Sequence, residues 1–289
     1  MKAEPKARFD LKPNLPRRER MTTPGFTGVS EALSRLLVTS PPAQAARNST
    51  HSRVRMAVLS GVAGFVDAAG FATLAGLFPA HITGELVGAV AGVSSGTWQR
   101  EAARVAVLIV FVTTVVLGAL VSRAFRLRNQ SPLAALFGLM TVGLVVASVS
   151  DWFFPGGASN AVSDSIKKCG LVAAMALQNV VMRHALSSSC PTTVMTGNLT
   201  QFIIEFVELL ANRNSKERSE RSVIRSKAET RLRVLGTALG AFLLCAALGV
   251  ALTSGIGAVS VLLPATAVGV LAARELRHPT AISRTGTLY

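Results

Sequence analysis

Val105 to Ser122 reads VAVLIVFVTTVVLGALVS and contains no charge. A helix needs about 20 mainly apolar residues to cross about 30 Å of hydrocarbon, and this run comes close to supplying them. Further along, Leu235 to Ala273 holds no charged residue at all. Half of the 289 residues are apolar and 16% are charged. A soluble domain is about one quarter charged, so a large soluble helical protein is a poor reading. The expected fold is an all-α, polytopic transmembrane helix bundle of six to eight segments.

Working outward from that run gives eight apolar segments. The first runs from Val54 to Leu77. The second, Ile82 to Ser95, follows Phe78-Pro79 and is short and glycine-rich, which suits a tilted, broken or re-entrant helix. The third is Val105 to Ser122 and the fourth Leu133 to Val149. A polar stretch follows, with Trp152 placed for a membrane edge. The fifth is Cys169 to Val181, the sixth Val194 to Ala211. Leu235 to Leu252 and Ile256 to Ala272 complete the set. Eight crossings leave Arg123, Arg126 and Arg128 outside the cell, against the tendency of basic residues to stay cytoplasmic. Six or seven crossings, with segment two or six turning back, remove the conflict.

The formal net charge is +15. Its lysines and arginines sit in tails and loops beside apolar runs, which is how topology is fixed, so no nucleic-acid partner is expected. Residues 1–53 read as a basic, mostly disordered cytoplasmic tail with a weak amphipathic helix at Val29 to Val38. Residues 54–273 form the transmembrane domain, and 274–289 a short C-terminal tail. The loop Asn212 to Arg233 has eight basic and three acidic residues and is expected on the cytoplasmic side of a bacterial inner membrane. Anionic lipid headgroups are the expected partners of these basic segments. Three separated cysteines, Cys169, Cys190 and Cys245, form no metal-like cluster. No cofactor is expected.

The chain also echoes itself. Asp67 lies in segment one, and Thr83-Gly84-Glu85 opens segment two. Asn179 lies in segment five, and Thr196-Gly197-Asn198 opens segment six. Pro79 sits in the first break and Pro191 in the second. Repeats over 54–150 and 169–273 follow. Four crossings per repeat would make them parallel, and an odd number would invert them.

GFVDAAGF (Gly64 to Phe71), FPAHITGE (Phe78 to Glu85) and VMTGNLT (Val194 to Thr200) resemble the signature stretches of the YoaK family, also called DUF1275. The segment ending at Asn179, with Arg183 after it, is similar too. The resemblance covers about Val54 to Ala273. It implies a small, multi-span, mainly bacterial membrane protein of undetermined activity. The first family motif usually reads TGN, whereas here Glu85 makes it TGE.

A carboxylate inside a span is expensive and normally faces the bundle interior or a polar path. Asp67 is therefore either a proton- or cation-contacting site or a packing anchor. Thr83 and Glu85 suit the opening turn of a helix. Asn198, Gln201, Glu205 and Glu208 share one face of segment six, opposite Leu199, Phe202, Ile203 and Phe206. Arg183 can reach headgroups or pair with Asp67 or Glu85. His81 reads as an ordinary interface residue. Gly84, Gly88 and Gly92 share a face that permits close helix crossing or a homodimer; Gly61 and Gly64 thin the first segment.

No nucleotide loop, HExxH or GxSxG is present, so enzymatic activity is not expected. The residues fit a small-solute or ion transporter, with Asp67, Thr83, Gly84, Glu85, Asn179, Arg183, Thr196, Gly197, Asn198 and Glu205 as the candidate intramembrane polar site. A scaffold or accessory protein, contacting partners or lipid through its tail and loop, is the alternative.

Overall fold

The computed structural model describes residues 42–94, 98–154, 161–184, 192, 194–211 and 220–280. The chain divides into residues 1–47, mostly outside this set, and a helical body over 48–289. The helix expected at 29–38 lies outside the described residues.

Among the described residues eight α-helices follow in order: α1 Pro42–Thr73, α2 Ile82–Ser94, α3 Trp98–Leu127, α4 Leu133–Phe153, α5 Ala161–His184, α6 Met195–Ala211, α7 Glu220–Ile256 and α8 Leu262–Arg277. A 3₁₀ turn, Gly257–Val261, joins α7 to α8. No strand occurs among the described residues. Several helices outrun their apolar cores. α1 starts at Pro42, inside the stretch read as tail, and α7 starts at Glu220, inside the stretch read as a basic loop. Hydropathy marks where a helix is greasy; backbone hydrogen bonding continues past that limit wherever good helix formers follow.

Contacts at the helix ends set their directions. Arg55 of α1 pairs with Glu275 of α8 at 2.7 Å, and His51 meets Arg274 at 3.2 Å. The start of α1 and the finish of α8 therefore share one end, here the basic end. At the far end, Thr73, Ala147, Lys167, Thr253 and Val261 line one small cavity. They come from the last turn of α1, late α4, early α5, late α7 and the turn before α8. So α1, α4 and α7 run toward the far end, while α5 and α8 return. A five-residue link joins α3 to the start of α4, so α3 also runs toward the basic end.

α2 and α6 do not cross. α2 has 13 residues and is about 20 Å long, short of the about 30 Å hydrocarbon thickness. It forms a hairpin with α3 that closes at the far end, where α1 also finishes. α6 forms the matching hairpin with α7 at the basic end. Its register is antiparallel, with Glu205 on Arg231 and Phe202 against Gly236. Carried back, that register sets Met195 at the depth of Phe242. The loop before α2 reaches the same Phe242, whose ring lies 6.2 Å from that of His81. Two half-helices thus begin at one depth and leave by opposite ends. Six helices run end to end, and Arg123, Arg126 and Arg128 join Arg53, Arg183, Arg233 and Arg277 at the basic end. The topological conflict in the eight-crossing reading disappears.

The two halves also run in opposite senses. α1 and α5 are antiparallel, so the parallel arrangement required by eight crossings does not hold. Equivalent contacts recur across the halves. Gly249 of α7 packs on Phe65 and Ala68 of α1; Gly118 of α3 packs on Leu177 and Val180 of α5. Those pairs sit two before and one after Asp67, and two before and one after Asn179. Three crossings plus one half-helix per half is an inverted arrangement.

α5 is the centre. From Gly170 to Met182 it is buried except at Ala173 and Asn179, which are half-buried. A Cβ on Gly170 would lie 2.6 Å from the Gly143 carbonyl oxygen, so α4 and α5 touch backbone to backbone. Outward lie the apolar residues Ile109, Val112, Val116 and Leu120 on α3, at helical spacing for a lipid-facing stripe.

Glu275 closes the basic end. Besides Arg55, it accepts from the Thr280 hydroxyl at 2.8 Å and the Thr280 N–H at 3.2 Å. Glu275→Ala strands the mostly buried Arg55, so a loss of about 2 kcal/mol is expected. In a double-mutant cycle, adding Arg55→Ala should cost little more. Thermal melts of the detergent-solubilised protein check this; additive losses would show that the two residues act separately.

Candidate functional site

Two buried carboxylates hold the loop between α1 and α2. α1 stops because Ala75 and Gly76 adopt positive φ, 58° and 79°. The Gly76 N–H then returns to the Phe71 carbonyl at 3.2 Å, as in a helix-ending turn. The loop next folds back along α1, with Pro79 lying on Gly70, where a Cβ would come within 2.8 Å of the proline ring. This return brings Ala80 and His81 to Asp67. Asp67 is 4% exposed. Its Oδ1 accepts the Ala80 N–H at 2.6 Å, and its Oδ2 meets His81 Nδ1. His81 is thus the partner of Asp67 rather than a plain interface residue. The clue in the sequence was distance along the chain, since only a loop that turns back can join them.

Glu85, in the first turn of α2, is also buried. Its Oε1 accepts the Phe78 N–H at 2.9 Å and its Oε2 faces Arg104 Nε at 3.4 Å. Glu85 rather than Thr83 or Gly84 points inward; both of those are exposed. Gly88 has a specific use: a Cβ there would strike the Arg104 guanidinium, so this glycine admits the arginine to Glu85. Gly84 has open space around its Cβ position and makes no close helix crossing. Arg183 is exposed at the end of α5, and the carboxylates it could have met are taken by His81 and Arg104.

The second half repeats the positions with uncharged groups. Asn179 donates to the Met175 carbonyl at 3.0 Å within its own helix. Thr196 and Gly197 are exposed, while Asn198 is buried beside Met195. Deeper in α6, Glu205 is 3% exposed and accepts from Gln201 at 2.9 Å and from Arg231 at 3.0 Å. Glu208 faces outward. Each half-helix hairpin therefore carries a Glu–Arg pair, Glu85–Arg104 at one and Glu205–Arg231 at the other.

Chemically, the first half offers two acceptor-only carboxylates, a histidine and an arginine around a loop that ends in a half-helix. Such a set can hold and release a loop, and can bind or pass a proton. Among the described residues no cluster of three metal-ligating side chains occurs. Neither a curated protein nor a solved structure matches the chain. A family model described as a protein of unknown function, DUF1275, matches residues 55–273, from Arg55 within α1 to the last apolar turn of α8. That range takes in nearly all of the long apolar helices and both Thr-Gly pairs, and the chain is a membrane protein belonging to the DUF1275 family.

Proposed function

We propose that the chain is a small-solute or ion transporter of a bacterial inner membrane, with its basic end in the cytoplasm. One observation supports this reading above others: two half-helices in oppositely directed halves begin at a common depth, each with a Thr-Gly pair in its first turn. Interrupted helices at matching places in inverted halves are the arrangement that transporters use for a central site. The arginines of the basic end suit the cytoplasmic side and anionic headgroups. Asp67 and His81 supply a proton-binding pair at the first loop, so the transport is read as proton-linked.

A membrane scaffold or accessory protein is the second reading. It draws on the burial of Asp67 and on the engagement of both its oxygens by the protein itself. A thermal-stability screen of the purified protein separates the two readings, using a metabolite and ion panel at two pH values. A transported ligand bound to the folded state raises the Tm by mass action. The expected result is a compound that stabilises the wild type but not Asp67→Asn. If no compound does so and both proteins melt alike, the scaffold reading takes its place.

A further inference from the structure

Among the described residues only two buried side-chain polar atoms lack a hydrogen-bond partner: Ser60 Oγ and Gln178 Oε1. They belong to one crossing. Gln178 of α5 sends its Nε2 to the Leu59 carbonyl of α1 at 2.9 Å, and Ser60 is the next residue. The same Nε2 donates to Thr192 Oγ1 at 2.9 Å, three residues before α6 begins. Both Ser60 and Gln178 are 0% exposed, and so is Thr192. The amide orientation is fixed, because the Leu59 carbonyl can only accept and so must face the NH2 end; the oxygen is therefore the orphan. A buried acceptor without a donor is costly, and native interiors rarely leave two at one helix crossing.

We propose that this crossing is a binding node for a small uncharged hydrogen-bond donor, with water as the ligand at rest. The proposal rests on the transport reading only in its solute half. An anion is disfavoured because the orphaned amide oxygen can only accept. A metal cation is disfavoured because two free oxygens fall short of a coordination shell and neither carries charge. A hydroxyl, an amide N–H or water can donate to either atom. The node lies where α1 and α5, the first helices of the two opposed halves, cross, and beside the break that precedes a half-helix. Sites in inverted-repeat transporters occupy such places.

X-ray hydroxyl-radical footprinting of the full chain in lipid nanodiscs tests the node, with bound water as the probe. Met175 lies one turn from Gln178, and Met140 in α4 is an equally buried control. Met175 is expected to oxidise several-fold faster than Met140, and Gln178→Leu and Ser60→Ala should each reduce that excess. Two variants are used so that a folding defect in one does not decide the matter. Equal, slow oxidation of Met175 and Met140 in the wild type overturns the node. Swelling of proteoliposomes in urea or glycerol gradients tests the solute half. Gln178→Leu is expected to slow swelling at least several-fold; unchanged swelling through an active protein overturns it. Wild-type vesicles no faster than empty ones, with Met175 still labelled, would remove the transport reading and leave the water site standing.

Discussion

Gly64→Ala is expected to lower the stability of the helical body by about 2–3 kcal/mol, from forced separation of two packed helices. A Cβ at Gly64 would fall inside the carbonyl oxygen of Phe242 on α7 and close to the Phe242 Cα, at 3.1 Å. Backbone cannot swing aside as a side chain can, so α1 and α7 must part. Membrane helices gain much of their association from such close approach, because lipid tails remove the usual hydrophobic drive between them. Separation would also lift Phe242 from the His81 ring, coupling the crossing to the loop before α2. Gly61→Ala should cost less, since the nearest atom to its Cβ is the Cys245 Sγ at 2.8 Å, the tip of a side chain. Gly84→Ala is the control. Nothing lies within 4 Å of its Cβ position, and alanine is the better helix former, so no loss or a small gain is expected. Melting of the three variants in one detergent ranks them; a Gly64→Ala protein no weaker than Gly84→Ala would mean that α1 and α7 pack differently.

The apolar runs made the number and type of segments legible, but not which of them cross. Ile82 to Ser95 and Val194 to Ala211 are greasy enough to enter a membrane, and hydropathy says nothing about a helix turning back. The sequence held one sign of it, in Arg123, Arg126 and Arg128, whose charge is misplaced unless a neighbouring segment fails to cross. α5 shows the opposite difficulty. Asp164, Lys167 and Lys168 dilute its first turns, yet it is the most enclosed helix, because those charges sit at the far end and the buried part starts at Gly170. Of the adjacent amides Gln178 and Asn179, the sequence drew attention to the second through its match with Asp67. A helix buried on all sides has no polar face to say which of two neighbours meets α1, so Gln178 could be found only from the crossing itself. The glycines followed the same pattern. Gly64 and Gly88 are both small residues in a helix, but one meets a backbone and the other makes room for an arginine.

Asp67→Ala is expected to release the loop before α2 and to cost about 2–4 kcal/mol, because it leaves a buried N–H and a part-buried histidine without their acceptor. The Ala80 N–H is donated to Asp67 Oδ1 at 2.6 Å in a buried setting, so losing that acceptor leaves it desolvated. Asp67→Asn should behave otherwise. Its amide oxygen can keep the Ala80 bond, and its amide N–H can face a His81 tautomer whose Nδ1 is unprotonated. The fold is expected to survive while the ionisable carboxyl is removed, which is why the asparagine variant suits the ligand screen and the alanine variant suits the test of structure. Hydrogen exchange gives the direct reading. The amides of Phe78 and Ala80 should exchange much faster in Asp67→Ala than in wild type, with Asp67→Asn close to wild type. Phe78 answers to Glu85 as well as to the loop, so its acceleration would show that releasing one carboxylate loosens the bond made by the other. Slow exchange at both amides in Asp67→Ala would mean that Glu85 and the Pro79–Gly70 contact hold the loop alone. Asp67 would then be free of any structural duty, and its burial in a membrane helix would need a functional explanation.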